Sequence, residues 1–237
     1  MWSGPRTLST ALMHSFGNRP DAMVTDEPLY AFYLDRTGLE HPGRAEILQS
    51  MPTDWRAVVH ALTCGPLPPG VTVHYQKHMS HHLLPEVDRE ALAGLRHAYL
   101  IREPRRLLAS YARVRAEPTL ADLGLAQQVE IFRRFGGPVV DAADLAARPE
   151  ETLTALCAGL GIGFDRAMLS WPPGPHPADG VWARYWYGSV QQSTGFRAGE
   201  QGGGGEVELP PRLERLAAQC AGYYGELAGH RIGRRDA

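Results

Sequence analysis

Lysine is almost missing from this chain. Lys77 is the only one among 24 basic residues, so any chemistry that needs an ammonium rests on one position. Cysteine is scarce as well. Cys64, Cys157 and Cys220 are odd in number and widely spaced, which excludes a disulfide framework and a zinc-ligand set and points to reduced thiols in a cytoplasmic protein. No apolar run approaches the ~20 residues of a membrane-spanning helix. The first residues lack the basic, apolar, small-residue order of a secretory leader. A net charge of −2 supplies no basic footprint, so neither nucleic acid nor membrane is an expected partner. Internal repeats are absent.

What remains describes a globular α/β chain. The 43% hydrophobic content is enough for a sizeable core, and 237 residues suit one domain. We expect a single domain over residues 1–237, with an irregular stretch at about 170–208 rich in Pro, Gly, Trp and Tyr. Short apolar runs at 1–2, 22–26, 71–77, 98–101 and 138–141 read as strands. Helical spacing is read over 7–17, part of 30–50, 55–62, a segment from Pro104, 120–135, a segment from Pro149 to Gly161 or Gly163, and 213–227. This alternation predicts a three-layer α/β/α architecture around a parallel sheet. The expected strands end in polar groups: Arg6, Glu27, Lys77 with His78, and Arg102. Such clustering at one sheet end is what a single cleft requires.

The opening stretch Ser3-Gly4-Pro5-Arg6-Thr7-Leu8-Ser9-Thr10 is the organising feature. Gly4 and Pro5 suit a turn, the hydroxyls of Ser9 and Thr10 sit beside orphan helix amides, and Arg6 adds a cationic fork. Two readings stay open on these residues alone, a phosphate cradle and an ordinary helix start.

Four stretches, in order, resemble the PAPS-dependent sulfotransferases, whose fold is P-loop-like. Pro5-Arg6-Thr7-Leu8-Ser9-Thr10 is similar to the family's 5′-phosphosulfate loop, with Leu8 where a glycine is usual. Ile101-Arg102-Glu103-Pro104, followed by Ser110, resembles the 3′-phosphate segment. Phe196-Arg197-Ala198-Gly199 resembles the loop over the nucleotide, which implies that Arg197 and Gly199 line the 3′-phosphate. Gln76-Lys77-His78, aligned on Leu83-Leu84-Pro85, resembles the strand end bearing the catalytic histidine of the cytosolic branch and puts that histidine at His78. The branch that sulfates protein tyrosines uses a glutamate, which falls on Glu27, and Asp26-Glu27-Pro28 fits a motif of bacterial sulfotransferase-like proteins.

The resemblance implies sulfuryl transfer from PAPS to a hydroxyl or amine of a small-molecule acceptor, with no metal required. Pro5, Arg6, Thr7, Leu8, Ser9, Thr10, Arg102, Ser110, Arg197 and Gly199 would bind the nucleotide. Arg6 would meet charge on the leaving phosphate, Lys77 would polarise a sulfate oxygen, and Glu27 or His78 would take the acceptor's proton. We favour Glu27. The alternatives are a small-molecule kinase, which the absence of a loop lysine disfavours, and a non-catalytic nucleotide binder. His74, His78, His81 and His82 lack the Cys or carboxylate partners of a metal set. Trp171, Trp182, Tyr185, Trp186 and Tyr187 read either as an acceptor and adenine wall or as anchors of the irregular stretch. Residues 199–205 read as a nucleotide lid or a plain surface loop. The oligomeric state stays open between monomer and homodimer.

Overall fold

A computed structural model describes residues 1–197 and 207–233. Five parallel strands form one sheet in the order β2-β3-β1-β4-β5. They are β1 (Trp2–Ser3), β2 (Ala22–Asp26), β3 (Val73–Met79), β4 (Tyr99–Ile101) and β5 (Val139–Asp141). The helices are α1 (Ser9–Gly17), α2 (Tyr30–Thr37), α3 (Arg44–Ser50), α4 (Trp55–Cys64), α5 (Pro104–Tyr111), α6 (Leu120–Leu123), α7 (Leu125–Phe135), α8 (Ala142–Ala147), α9 (Pro149–Gly159), α10 (Ala183–Trp186), α11 (Gly188–Gln191) and α12 (Pro211–Ala228). None of the helices among the described residues is long and apolar enough to cross a membrane.

The strands are apolar on both faces because both faces are covered. Leu100 and Val140 enter the core beneath α1, α8 and α9, whereas Tyr99, Ile101 and Val139 enter the core beneath α4, α7 and α12. The same alternation governs β3: Tyr75 packs in the first core, and Gln76 and His78 turn the other way, where the His78 ring stacks on Trp2 with centroids 4.4 Å apart. The two-residue β1 lies at the sheet centre, with Trp2 opposite His78 on one side and Tyr99 on the other. The chain leaves β1 for β2, returns to β3 and then crosses to β4. A parallel sheet opens its ligand crevice at such a reversal, beyond the carboxyl ends of the strands.

Several boundaries depart from the sequence reading. The helix expected over 7–17 starts at Ser9, because Arg6 (φ 60°) and Leu8 (φ 69°) are left-handed. The strand expected over 71–77 is Val73–Met79, since pairing with β1 extends it through His78 and Met79. Residues 30–50 hold two helices rather than one. The helix expected over 120–135 breaks at Gly124, which is left-handed at φ 65°. A Cβ there would sit 2.4 Å from the His81 backbone nitrogen, so glycine lets the α6–α7 corner close against the turn after β3.

Gly124→Ala is therefore expected to lower unfolding free energy by about 1–3 kcal/mol, read from urea midpoints at unchanged slope.

Candidate active site

The loop after β1 is a strained turn. Thr7 Oγ1 donates to Gly4 O at 2.9 Å, and the flanking Arg6 and Leu8 are held left-handed. Each such non-glycine residue costs roughly 1–2 kcal/mol. Leu8 recovers part of that by packing its side chain against the core. Left-handed residues in a tight loop gather backbone amides into an anion-binding concavity. No side chain caps α1, so its first amides keep their donors open toward the same place.

Arginines converge on this loop. Arg6 Nε donates to Ser110 Oγ at 3.1 Å, and Arg102 Nη1 donates to Arg6 O at 2.6 Å. Arg102 Nε is buried with no hydrogen-bond partner among the described residues. Burial, with Arg6 and Arg106 nearby, pushes Arg102 down to about 10, and burial with Arg113 lowers Arg6. Guanidinium groups crowded this closely disfavour one another's charge, and neither Arg6 nor Arg102 forms an ion pair with a carboxylate among the described residues. Arg197 lines the same cavity with its side chain exposed, and Gly199 and the glycine stretch after it lie outside the described residues.

The second half of the site is acidic and buried. Glu27 follows β2 with a left-handed backbone (φ 39°), its N–H donating to Lys77 O at 2.9 Å. Lys77 Nζ donates to Glu27 Oε1 at 2.6 Å, Asp26 Oδ1 at 2.8 Å and Tyr187 Oη at 2.7 Å. Tyr187 Oη donates to Asp26 Oδ2 at 2.7 Å and accepts from Trp182 Nε1 at 2.9 Å. Burial raises the Glu27 carboxyl, Lys77 opposes the rise and Asp26 adds to it. Burial disfavours the Lys77 charge, but the Asp26 and Glu27 carboxylates outweigh it and raise its pKa.

Both halves line one cavity of about 540 Å³. Its remaining walls include Tyr30, His41, His82, Tyr111 and Trp186. His82 stacks on Tyr30 at 4.6 Å and Tyr33 at 4.7 Å, and burial keeps it neutral. Burial, with His41 nearby, takes His81 down to about 3. No group of three or more His, Cys, Asp or Glu is arranged to hold a metal among the described residues.

A sulfotransferase domain model matches residues 1–223. The chain belongs to the sulfotransferase domain family. Solved sulfotransferase domains share the fold: one from the olefin synthase of Synechococcus PCC 7002 (TM-score 0.52, 18% identity, 93% of this chain and 92% of that one), another from the curacin biosynthetic pathway (TM-score 0.53, 13% identity, 93% and 95%). Two Arabidopsis thaliana proteins named branched-chain-amino-acid aminotransferase-like protein 1 and 2 are 42% identical over 200 residues and 38% over 234. These alignments take in 82% and 97% of this chain but only 36% and 41% of those proteins, so this chain spans less than half of their length.

Within this sulfotransferase domain two of the expected site residues are placed differently from the positions the resemblance implies. His78 does not line the cleft. It follows Lys77 on β3 and faces the opposite side of the sheet, where burial holds it well below the usual imidazole range and its Nε2 lies 3.2 Å from Gln76 Oε1. Lys77 has no proton left for a sulfate oxygen, because all three ammonium protons have partners and its side chain is 1% exposed. Pro5, Arg6, Thr7, Leu8, Ser9, Thr10, Glu27, Arg102, Ser110 and Arg197 do share one cavity. Of the aromatics, Trp186 and Tyr187 line it, whereas Trp171 anchors the irregular stretch, donating to Ser193 Oγ at 3.2 Å. The sequence reading missed Asp26 as the second acid on Lys77 and Tyr187 as the hydroxyl between them. Only the adjacency of Asp26 to Glu27 hinted at either.

Inorganic pyrophosphate is expected to raise the melting temperature of the wild-type protein. In Arg102→Ala its affinity should fall at least about tenfold, ~1.4 kcal/mol, by calorimetry.

Proposed function

We propose that the domain moves a sulfuryl group from PAPS to the hydroxyl or amine of a small-molecule acceptor. One observation carries this reading: two anion-binding groups, the loop with the α1 amides and the Arg6–Ser110–Arg102 cluster, share a cleft with a buried carboxylate of raised proton affinity. A donor with phosphates at two positions would engage both groups, whereas the loop lacks the lysine that a triphosphate-binding loop carries. The unpartnered Arg102 Nε is a donor that such a ligand would satisfy.

PAPS, when bound, supplies an activated sulfuryl group for in-line displacement. Arg6 and the loop amides would meet the charge that builds on the departing 5′-phosphate as its bond to sulfur breaks. Arg102, Ser110, Arg197 and Gly199 would hold the 3′-phosphate. Glu27 would take the proton of the attacking hydroxyl as the new bond to sulfur forms. Its Oε1 is held by Lys77 at 2.6 Å, so orientation is set before an acceptor arrives. Lys77 would hold Glu27 rather than touch sulfate. The rings of Tyr30, His41, His82, Tyr111 and Trp186 would enclose a small acceptor.

Thermal shift with 3′-phosphoadenosine 5′-phosphate, PAPS and ATP with Mg²⁺ tests the reading; a shift with ATP and Mg²⁺ alone would overturn it. Glu27→Gln is expected to lower turnover by about 10²–10⁴-fold, and His78→Ala to leave it within about tenfold. A base must be ionised to act, so turnover should fall as pH drops through the Glu27 pKa, above the ordinary 4.5 of a glutamate.

A further inference from the structure

We infer that Asp26 is a positioning residue that sets the proton affinity of Glu27 through their shared ammonium, Lys77. The inference rests on Glu27 serving as the base of the proposed transfer. Its ground is a charge imbalance locked into the fold. One ammonium, Lys77, faces two carboxylates at 2.8 and 2.6 Å, and the lysine side chain is 1% exposed. With both acids ionised the cluster holds one surplus negative charge, which burial disfavours.

Geometry decides which acid receives a proton. Asp26 is 1% exposed in its side chain, and donors engage both its oxygens: Lys77 on Oδ1, and Tyr187 Oη with the Gly180 N–H (3.3 Å) on Oδ2. Asp26 is complete as a carboxylate. Glu27 keeps 10% exposure and lines the cleft, and its Oε2 takes part in none of these bonds. A proton leaving an acceptor hydroxyl therefore has Glu27 Oε2 as its destination, and its arrival neutralises the cluster.

Asp26 reverses the sign of that charge change. With Asp26, proton uptake takes the cluster from one negative charge to zero. Without it, Glu27 and Lys77 are already balanced, and the same proton would leave a surplus positive charge in a buried place. The surrounding groups do not compensate. Tyr30 from α2 and Tyr111 from α5 face the Glu27 charge as neutral phenols, and burial keeps His81 and His82 neutral. Arg6, on the facing loop, bonds to Ser110 and to neither acid, and its charge is the same with and without Asp26.

The test follows the protonated-carboxyl infrared band of Glu27 against pH, assigned by its loss in Glu27→Gln. In the wild-type protein the midpoint should lie above 4.5, the ordinary glutamate value. Asp26→Asn keeps the side chain's shape and removes its charge, and should lower the midpoint by about one pH unit or more. Tyr187→Phe disturbs the same packing while keeping the surplus charge, so its midpoint should stay above the ordinary value. An unchanged or raised midpoint in Asp26→Asn overturns the inference, as does a midpoint equally lowered in Tyr187→Phe. Should Asp26→Asn fail to fold, Asp26→Ser removes the same charge and carries the test with the same expected fall, and a wild-type midpoint at or below the ordinary value overturns the inference. The band needs no turnover. Calorimetry with 3′-phosphoadenosine 5′-phosphate, run beside it, shows separately whether the donor reading has failed.

Discussion

One buried ammonium ties the molecule together. Lys77 leaves the middle of the sheet on β3, reaches the adjoining carboxylates at the end of β2, and meets a tyrosine 110 residues further along the chain. Taking such charges out of water costs several kcal/mol per ion, and removing one partner of a buried pair costs about 3–5 kcal/mol. The cluster is retained only because every Lys77 proton and both Asp26 oxygens are occupied. Arginine would not replace this lysine. Its planar fork spreads donors to one side, whereas the ammonium sends three bonds in tetrahedral directions to three separate groups. The same contacts draw the stretch around 180–187 onto the strand ends, through Gly180 and Trp182 as well as Tyr187, and so build one wall of the cleft.

The loop after β1 meets a different constraint. Arg6, Leu8 and Glu27 are the non-glycine residues with positive φ among those described, and all three line the cleft. Strain concentrates where neighbouring structure over-determines the backbone, and that is where function uses it. Leu8, where the resembled loop usually has a glycine, adopts a left-handed conformation that a glycine would take without strain, and its side chain packs on the core. Gly4 cannot be relaxed in the same way, because a Cβ there would lie 2.8 Å from Leu123 O.

These two constraints show why some of the structure was legible in the sequence and some was not. The strands were readable since apolar runs such as Tyr99-Leu100-Ile101, buried on both faces, have few other fates in an α/β chain. Residues 22–26 were read to the residue. The break at Gly124 was not readable, because it depends on the backbone of His81, more than forty positions earlier. Lys77 and His78 were both expected at the cleft, Lys77 on a sulfate oxygen and His78 as the alternative base to the favoured Glu27. Neighbours on a strand point to opposite faces, so these two could not both reach it, and alignment on Leu83-Leu84-Pro85 put the histidine on the residue facing away. Nothing in the spacing showed that Lys77 would be among the most buried side chains, held by the protein's own acids. Tyr187 left no trace in spacing. Its role depends on a contact between distant segments, and the sequence marked only an aromatic-rich region.

The cleft thus divides into cationic and anionic halves that do not neutralise each other, and Lys77 is the reason. Arg6 and Arg102 share a cavity with Glu27, yet among the described residues no carboxylate pairs with either arginine. An Asp26 or Glu27 free to swing would be drawn to them, since a partly buried guanidinium and a carboxylate attract strongly in a medium of low dielectric. Such a pairing would fill the anion site with the protein's own acid. Lys77 holds both carboxylates back with bonds of 2.6 and 2.8 Å. The arginines stay clear of the protein's own acids, and Glu27 Oε2 stays outside the network, which is what the proposed transfer needs. A single lysine in an arginine-rich chain thereby keeps the two halves apart, and in the proposed transfer it would touch neither donor nor acceptor.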